Sequence, residues 1–173
     1  FLSSGESKYP IDTLKYWVKE GVDGFRCDVA SLVPADFWRQ AKKDVALINP
    51  NMIWLAESTE AEFIREERRQ GWITANDSEL GEIFDVLYPY DFIDLFYKAI
   101  AGNIDQYAFM LNFTFTEYPS NTSRLMCLEN HDRSRIADIL NLDHCREINW
   151  LAFSFCYSGT AFVYAGQEAW EQC

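Results

Sequence analysis

Five polar side chains in this sequence each follow a short apolar run, at the point where the run gives way to charge. Arg26 and Asp28 end one run, and Glu57 ends the next. His131 and Asp132 follow a third run further along the chain. Such runs are typical of buried strands in a parallel sheet, and ligands bind beyond the carboxyl ends of those strands. The pattern predicts a site that gathers three carboxylates, one guanidinium and one imidazole.

Asp28 has an arginine two positions before it. Because side chains alternate along a strand, Arg26 and Asp28 share one face while Cys27 points to the other. A neighbouring guanidinium keeps a carboxylate ionised and oriented, which suits a nucleophile or a group that stabilises positive charge. The alternative is a structural Asp–Arg pair that ties the strand to its neighbour.

Glu57 follows Trp54-Leu55-Ala56 and is expected to begin in apolar surroundings. A carboxyl group in such surroundings holds its proton more readily, which suits a general acid. The alternative is that Glu57 caps a helix, because Ser58 and Thr59 are typical of a helix start.

His131 also allows more than one interpretation. By itself it is a typical hydrogen-bonded loop residue. A metal triad with Asp132 and Glu57 is the alternative, although neither an i,i+4 histidine pair nor a His/Cys spacing supports a metal.

The elements that must position these side chains alternate along the chain. Helical patterns separate the apolar runs, which predicts β/α units and a parallel sheet. Strands are predicted over residues 21–29, 52–57, 82–87, 124–129 and 161–164.

Composition and net charge limit the classes of molecule that this protein is expected to bind. The 173 residues are 49% hydrophobic and 24% charged, so a packed core is expected. The formal net charge of −12 disfavours phosphate backbones and anionic lipid, so neither a nucleic acid nor a membrane is expected as partner. A neutral sugar is compatible with this charge.

The five cysteines have no CxxC spacing and leave one over if they pair. We expect buried free thiols rather than a zinc or disulfide framework, and free thiols favour a reducing compartment such as the cytoplasm. The chain opens on Phe1 without an initiator methionine or a secretory signal, so we expect it to be a piece of a longer protein.

Three short motifs carry a family resemblance. Gly24-Phe25-Arg26-Cys27-Asp28, Ala56-Glu57 and Asn130-His131-Asp132 occur in that order, and Ala165-Gly166-Gln167-Glu168 follows the last predicted strand. Together they resemble the signature motifs of the α-amylase superfamily, glycoside hydrolase family 13. The resemblance implies a (β/α)8 barrel of about 250 residues, of which this chain supplies about strands four to eight. Residues 1–173 are therefore expected to be one incomplete barrel domain.

The resemblance also implies a role for each candidate. Asp28 matches the nucleophile that forms a glycosyl-enzyme intermediate, and Glu57 matches the general acid and base. Asp132 matches the second aspartate, which binds sugar hydroxyls and favours the oxocarbenium-like transition state. Arg26 matches the residue that positions the nucleophile, and His131 matches a sugar-binding histidine. Retaining chemistry of this kind places the two reacting carboxyl groups about 5–5.5 Å apart.

One departure from the family pattern bears on the substrate. Many calcium-dependent α-amylases have Lys-His where this chain has Ser31-Leu32. This weakens assignment to that subgroup, with its calcium contact and its aglycone-side sugar contacts.

We expect a retaining hydrolase of α-glucans or maltooligosaccharides. The alternatives are an α-glucosidase or glucan transglycosylase of the same superfamily, or a non-catalytic amylase-like domain used for binding or assembly. The residues present require no cofactor, and calcium is an open question for the full-length protein. The isolated piece is expected to be inactive and to self-associate through its open barrel edges.

Overall fold

The structure is a computed structural model that describes residues 8–115, 119 and 121–172. The chain divides into two compact units. Within the described residues, the first unit comprises 8–87, 119 and 121–122, and the second comprises 88–115 and 123–172.

The first unit alternates helices with three parallel strands. Its elements in chain order are α1 (Lys8–Lys19), β1 (Gly24–Cys27), α2 (Ala35–Ala46), β2 (Ile53–Ala56), α3 (Ala61–Arg69), α4 (Asp77–Gly81) and β3 (Val86–Leu87). A 3-10 turn at Ala30–Leu32 follows β1. Strand β1 pairs with β2 and β2 pairs with β3, in both cases in parallel. This is the β/α alternation that the sequence predicts.

The third strand is shorter than predicted. Strand β3 covers only Val86 and Leu87, whereas the sequence pattern predicts residues 82–87. An Asn76–Glu79 capping box begins α4 just before this segment, and the next residues continue its turn. Phe84 is buried, so the apolar run reflects burial in a turn rather than a strand.

Asp85 joins β2 to this turn. Its backbone N–H donates to the carbonyl of Trp54 at 2.9 Å, and its carboxylate accepts the Trp54 N–H at 2.8 Å. Lys42, on α2, donates to the same carboxylate at 2.8 Å. The Asp85 side chain thus accepts a hydrogen bond that a carbonyl of a neighbouring strand would otherwise accept. Through Lys42, it also links α2 to the sheet.

The second unit has four helices and two strands among its described residues. Its elements are α5 (Tyr90–Ile100), α6 (Gln106–Phe115), β4 (Ser123–Cys127), α7 (Ile136–Ile139), α8 (His144–Cys156) and β5 (Thr160–Phe162). Strands β4 and β5 pair in parallel, with Cys127 opposite Phe162. Strand β4 stops two residues before its predicted end at 129. The core of this unit is rich in aromatic side chains. Among them, the rings of Phe96 and Phe109 stack with their centroids 5.7 Å apart.

Four of the five cysteines are described, and all four are free thiols. Cys27 and Cys127 are buried, which raises the pKa of each thiol to about 12, so both stay neutral. Cys145 and Cys156 are exposed, so the expectation of buried thiols is wrong for these two. Cys173 lies outside the described residues. No helix in the described ranges is long and apolar enough to cross a membrane.

Glu147, on α8, is a buried acid. Its Oε2 accepts no hydrogen bond from the described residues, and the nearest basic atom is Nδ1 of His144 at 3.9 Å. Burial raises the pKa of Glu147, the charge of Glu129 raises it further, and His144 opposes both. The folded protein therefore holds this proton up to a higher pH than the unfolded chain does.

Removing the Asp85 carboxylate tests its role in the fold. Asp85→Ala leaves the buried Trp54 N–H without its acceptor, so the free energy of unfolding should fall by about 1–3 kcal/mol. Urea denaturation of both proteins measures the change. Asp36→Ala removes an exposed acid paired only along its own helix, and it should leave stability unchanged. Equal stability of the Asp85→Ala and wild-type proteins would contradict this role.

Glu147→Gln tests the buried acid through pH. A raised folded-state pKa gives stability at acid pH that is lost as the pH rises, because the buried carboxyl must then ionise. The variant should exceed wild type in urea midpoint at about pH 8, and the difference should shrink at about pH 5. Glu168→Gln, at an exposed position, is the matched control. Parallel pH profiles for Glu147→Gln and wild type would refute the assignment.

Candidate active site

Asp28 and Glu57 lie side by side because of the strand register. Cys27 and Ala56 are the last paired residues of β1 and β2, so Asp28 and Glu57 are the next residue on each strand. The Glu57 N–H donates to the carbonyl of Cys27 at 3.0 Å, which carries the pairing one step beyond the strands. Two carboxylates therefore leave adjacent parallel strands at their carboxyl ends.

Gly24 permits this close pairing at the start of the strand. A Cβ atom on Gly24 would lie 2.5 Å from the carbonyl oxygen of Ile53, so a larger residue would force β1 and β2 apart. At the other end, Cys27 is buried while Arg26 and Asp28 reach solvent. The alternation expected from the sequence is present, and it sends the two charged residues to one face.

Arg26 bridges the two carboxylates. Its Nη1 donates to Oδ1 of Asp28, and its Nη2 pairs with Oε1 of Glu57 at 2.7 Å. The two acids differ in exposure, since the side chain of Asp28 is 77% exposed and that of Glu57 is 9% exposed. One guanidinium thus contacts both an exposed carboxylate and a buried one.

The turn after Asp28 holds Glu57 from a second direction. The Val29 N–H donates to Oε2 of Glu57 at 2.9 Å, and the Ala30 N–H donates to the Glu57 carbonyl at 2.8 Å. Val29 has φ 42° and ψ 46°, a left-handed conformation that a β-branched residue rarely adopts. Glu57 is not a helix cap, because Glu60 occupies that position before α3. Burial of Glu57 matches the expectation, but its oxygens face two hydrogen-bond donors rather than apolar atoms alone.

His131 and Asp132 lie in the second unit, in the loop after β4. Nε2 of His131 is 3.1 Å from Oδ2 of Asp132, and about half of each side chain is exposed. In the portion of the chain that the structure describes, no three His, Cys, Asp or Glu side chains are arranged to hold a metal ion.

Buried polar residues anchor that loop. Asn130 accepts the Asp132 N–H at 2.9 Å, and its amide donates to the hydroxyl of Tyr90 at 3.2 Å. Glu129, 1% exposed, accepts from Arg135 at 2.8 Å and from the Ile136 N–H at 2.7 Å. The sequence pattern places Glu129 within a strand and gives it no role. Its one available signal is a carboxylate at the end of an apolar run, the same signal that marks Glu57.

The structure brings Arg26, Asp28 and Glu57 together within the first unit. It pairs His131 with Asp132 within the second unit. Convergence of Asp132 on the two other carboxylates stays a prediction, as do the roles of all five residues. Sequence reasoning missed the turn after Asp28, because each of its contacts uses at least one backbone group, which carries no residue signature.

Comparisons with known proteins show which family this chain belongs to. The family model described as "Alpha amylase, catalytic domain" matches residues 7–172. A cyclomaltodextrinase from Bacillus sp. is 30% identical over 168 residues, which cover 93% of this chain and 28% of that protein.

Solved structures extend the likeness to three dimensions. The crystal structure of an α-amylase from Lactobacillus plantarum is 38% identical with a TM-score of 0.89, over 99% of this chain and 42% of that one. A maltogenic α-amylase from Thermotoga neapolitana is 33% identical with a TM-score of 0.77, over 99% of this chain and 37% of that one. The fold expected from the sequence, part of a (β/α)8 barrel, is thereby confirmed. This chain spans less than half the length of these relatives. The family resemblance is confirmed, and the chain belongs to the α-amylase catalytic-domain family.

Proposed function

We propose that the protein containing this chain is a retaining glycoside hydrolase that acts on α-glucans or maltooligosaccharides. The observation that carries the proposal is the Arg26 bridge between an exposed and a buried carboxylate at adjacent strand ends. Two acids in unlike environments are what a double-displacement mechanism requires. Relatives named as cyclomaltodextrinase and maltogenic amylase support the substrate class.

In the first step, Asp28 attacks the anomeric carbon and the glycosidic bond breaks. The exposed Asp28 carboxylate is open to a sugar, and its contact with Arg26 orients it. Glu57 gives its proton to the departing oxygen, so the leaving sugar departs as an alcohol. The products are a glycosyl ester on Asp28 and an ionised Glu57.

In the second step, Glu57 accepts a proton from water and the water oxygen attacks the same carbon. The ester bond breaks, Asp28 regains its charge, and the sugar leaves with its original anomeric configuration. Each residue returns to its starting state.

Arg26 suits both steps because the acid pair carries one negative charge in each state. Before attack the charge is on Asp28 and the proton is on Glu57. In the intermediate Asp28 is neutral and Glu57 is charged. A guanidinium within reach of both oxygens can follow the charge without moving far, since its two Nη atoms already face the two acids.

We propose that Asp132 and His131 bind sugar hydroxyls, the roles that the family resemblance implies. Their mutual contact leaves about half of each side chain open to a ligand. We propose no metal in the chemistry, because these steps are complete with the carboxylates alone.

An α-glucosidase or transglycosylase is the second candidate. It is favoured by Ser31 and Leu32, which replace the Lys-His pair of many α-amylases. Ser31 is fully buried and Leu32 is an exposed apolar side chain, so neither offers a charged contact to an aglycone sugar. The product distribution from maltotriose, as glucose and maltose or as longer transfer products, distinguishes the two candidates.

Replacing the proposed nucleophile tests the function directly. Asp28→Ala should lower kcat for maltotriose by at least about 10³-fold, because no other group can form the ester intermediate. Asp23→Asn changes an exposed acid ahead of β1 and should retain activity. Turnover of maltotriose by Asp28→Ala at the wild-type rate would refute the nucleophile, whereas a wild-type protein without turnover would favour a non-catalytic domain.

Replacing the proposed acid should give a result that depends on the leaving group. Glu57→Gln should lower kcat/KM for maltotriose on the order of 10²–10⁴-fold, because the sugar oxygen must be protonated as it leaves. Release of fluoride from α-maltosyl fluoride needs no proton, so the first step with that substrate should be nearly unaffected. Glu62→Gln, an exposed glutamate on α3, is the control. Equal losses on both substrates would contradict the acid role.

A further inference from the structure

The segments that follow β1 and β2 stay joined beyond the last strand pair. Two of the links involve Glu57 itself, from the backbone N–H groups of Val29 and Ala30. A third lies two residues further on, where the N–H of Thr59 donates to Oγ of Ser31 at 3.1 Å. This last link is made by a side chain, so it can be removed by substitution.

Ser31 is well placed to act as a fixed acceptor. It is fully buried, and its own carbonyl accepts the N–H of Ala75 at 2.8 Å. The turn that carries it is held at Ala30, whose carbonyl accepts from the indole of Trp38 at 3.1 Å. The left-handed Val29 shows that surrounding contacts determine the conformation of this turn. The backbone that carries the serine hydroxyl is therefore held by Ala75 and Trp38 as well as by its bonds to Glu57.

We propose that Ser31 is a positioning residue for Glu57, an inference that rests on the proposed function. Its hydroxyl fixes the chain two residues after the acid, and so fixes the direction from which the Glu57 carboxyl approaches the leaving oxygen. Without it, the Thr59 N–H loses its acceptor and the 57–59 segment can relax away from the turn. Asp28 precedes the turn and keeps its contact with Arg26. The substitution should therefore impair proton transfer more than nucleophilic attack.

Two substrates separate these effects. Maltotriose needs protonation of its leaving oxygen, and α-maltosyl fluoride does not. The ratio of their kcat/KM values is independent of the fraction of protein that is correctly folded, because both substrates report on the same active molecules. A merely structural role for Ser31 would lower both values and leave the ratio unchanged.

The experiment measures this ratio in the complete gene product for wild type, Ser31→Ala and Ser154→Ala. Ser154 is also a buried serine, but its hydroxyl donates to Leu151 within α8, remote in sequence from the site residues. Ser31→Ala should lower the maltotriose-to-fluoride ratio roughly tenfold, since small misplacements of a catalytic group have effects of this size or larger. Ser154→Ala should keep the wild-type ratio. If Ser31→Ala does not accumulate as folded protein, Ser31→Cys, with a weak sulfur acceptor of similar volume, should lower the ratio in the same direction.

The outcomes separate this inference from the function on which it rests. An active wild type with an unchanged ratio in the Ser31 variants overturns the positioning role and leaves the hydrolase proposal standing. A wild-type protein that acts on neither substrate overturns the hydrolase proposal, and the positioning role with it.

Discussion

A single guanidinium shared by two carboxylates is the interaction on which the site depends. Arg26 can reach both acids only because β1 and β2 run in parallel with Cys27 opposite Ala56. A shift of the register by one residue would turn one acid to the opposite face of the sheet. The absence of a side chain at Gly24 and the anchoring of β2 by Asp85 both protect this register. The register of the sheet therefore places the three charged side chains of the proposed chemistry next to one another.

The turn after β1 determines which of the two acids is exposed and which is buried. Strands place the two acids at neighbouring positions, but they do not determine which acid is open and which is buried. The turn at 29–31 folds over Glu57 and donates two N–H groups to it, while Asp28 remains exposed. Loops carried on a rigid sheet commonly set such differences in environment. In the proposed mechanism, this difference separates the tasks of two similar carboxyl groups.

The sequence predicted those features that depend on local periodicity. Alternation placed Arg26 and Asp28 on one face with Cys27 on the other, and the ends of apolar runs located the acids. The strand prediction was wrong at residues 82–84, where the apolar residues lie in a turn after α4. Burial alone does not distinguish a turn from a strand. The hydrogen bond from Thr59 to Ser31 could not be predicted from the sequence either. It joins residues 28 apart through a backbone group, and one sequence shows no periodic pattern for such a contact.

Some of the costs in free energy fall where the chemistry is proposed, as others do at the buried Glu147. A buried glutamate paired with arginine contributes little net stability, because desolvation opposes the attraction between the charges. The left-handed Val29, three residues after Arg26, adds strain of order 1–2 kcal/mol. Asp85, which has no proposed part in the reaction, shows the opposite character, since each of its contacts joins elements of the fold. The proposed reaction offers one account of the pair at the ends of β1 and β2, since it needs two carboxyl groups that exchange a charge beside the same guanidinium.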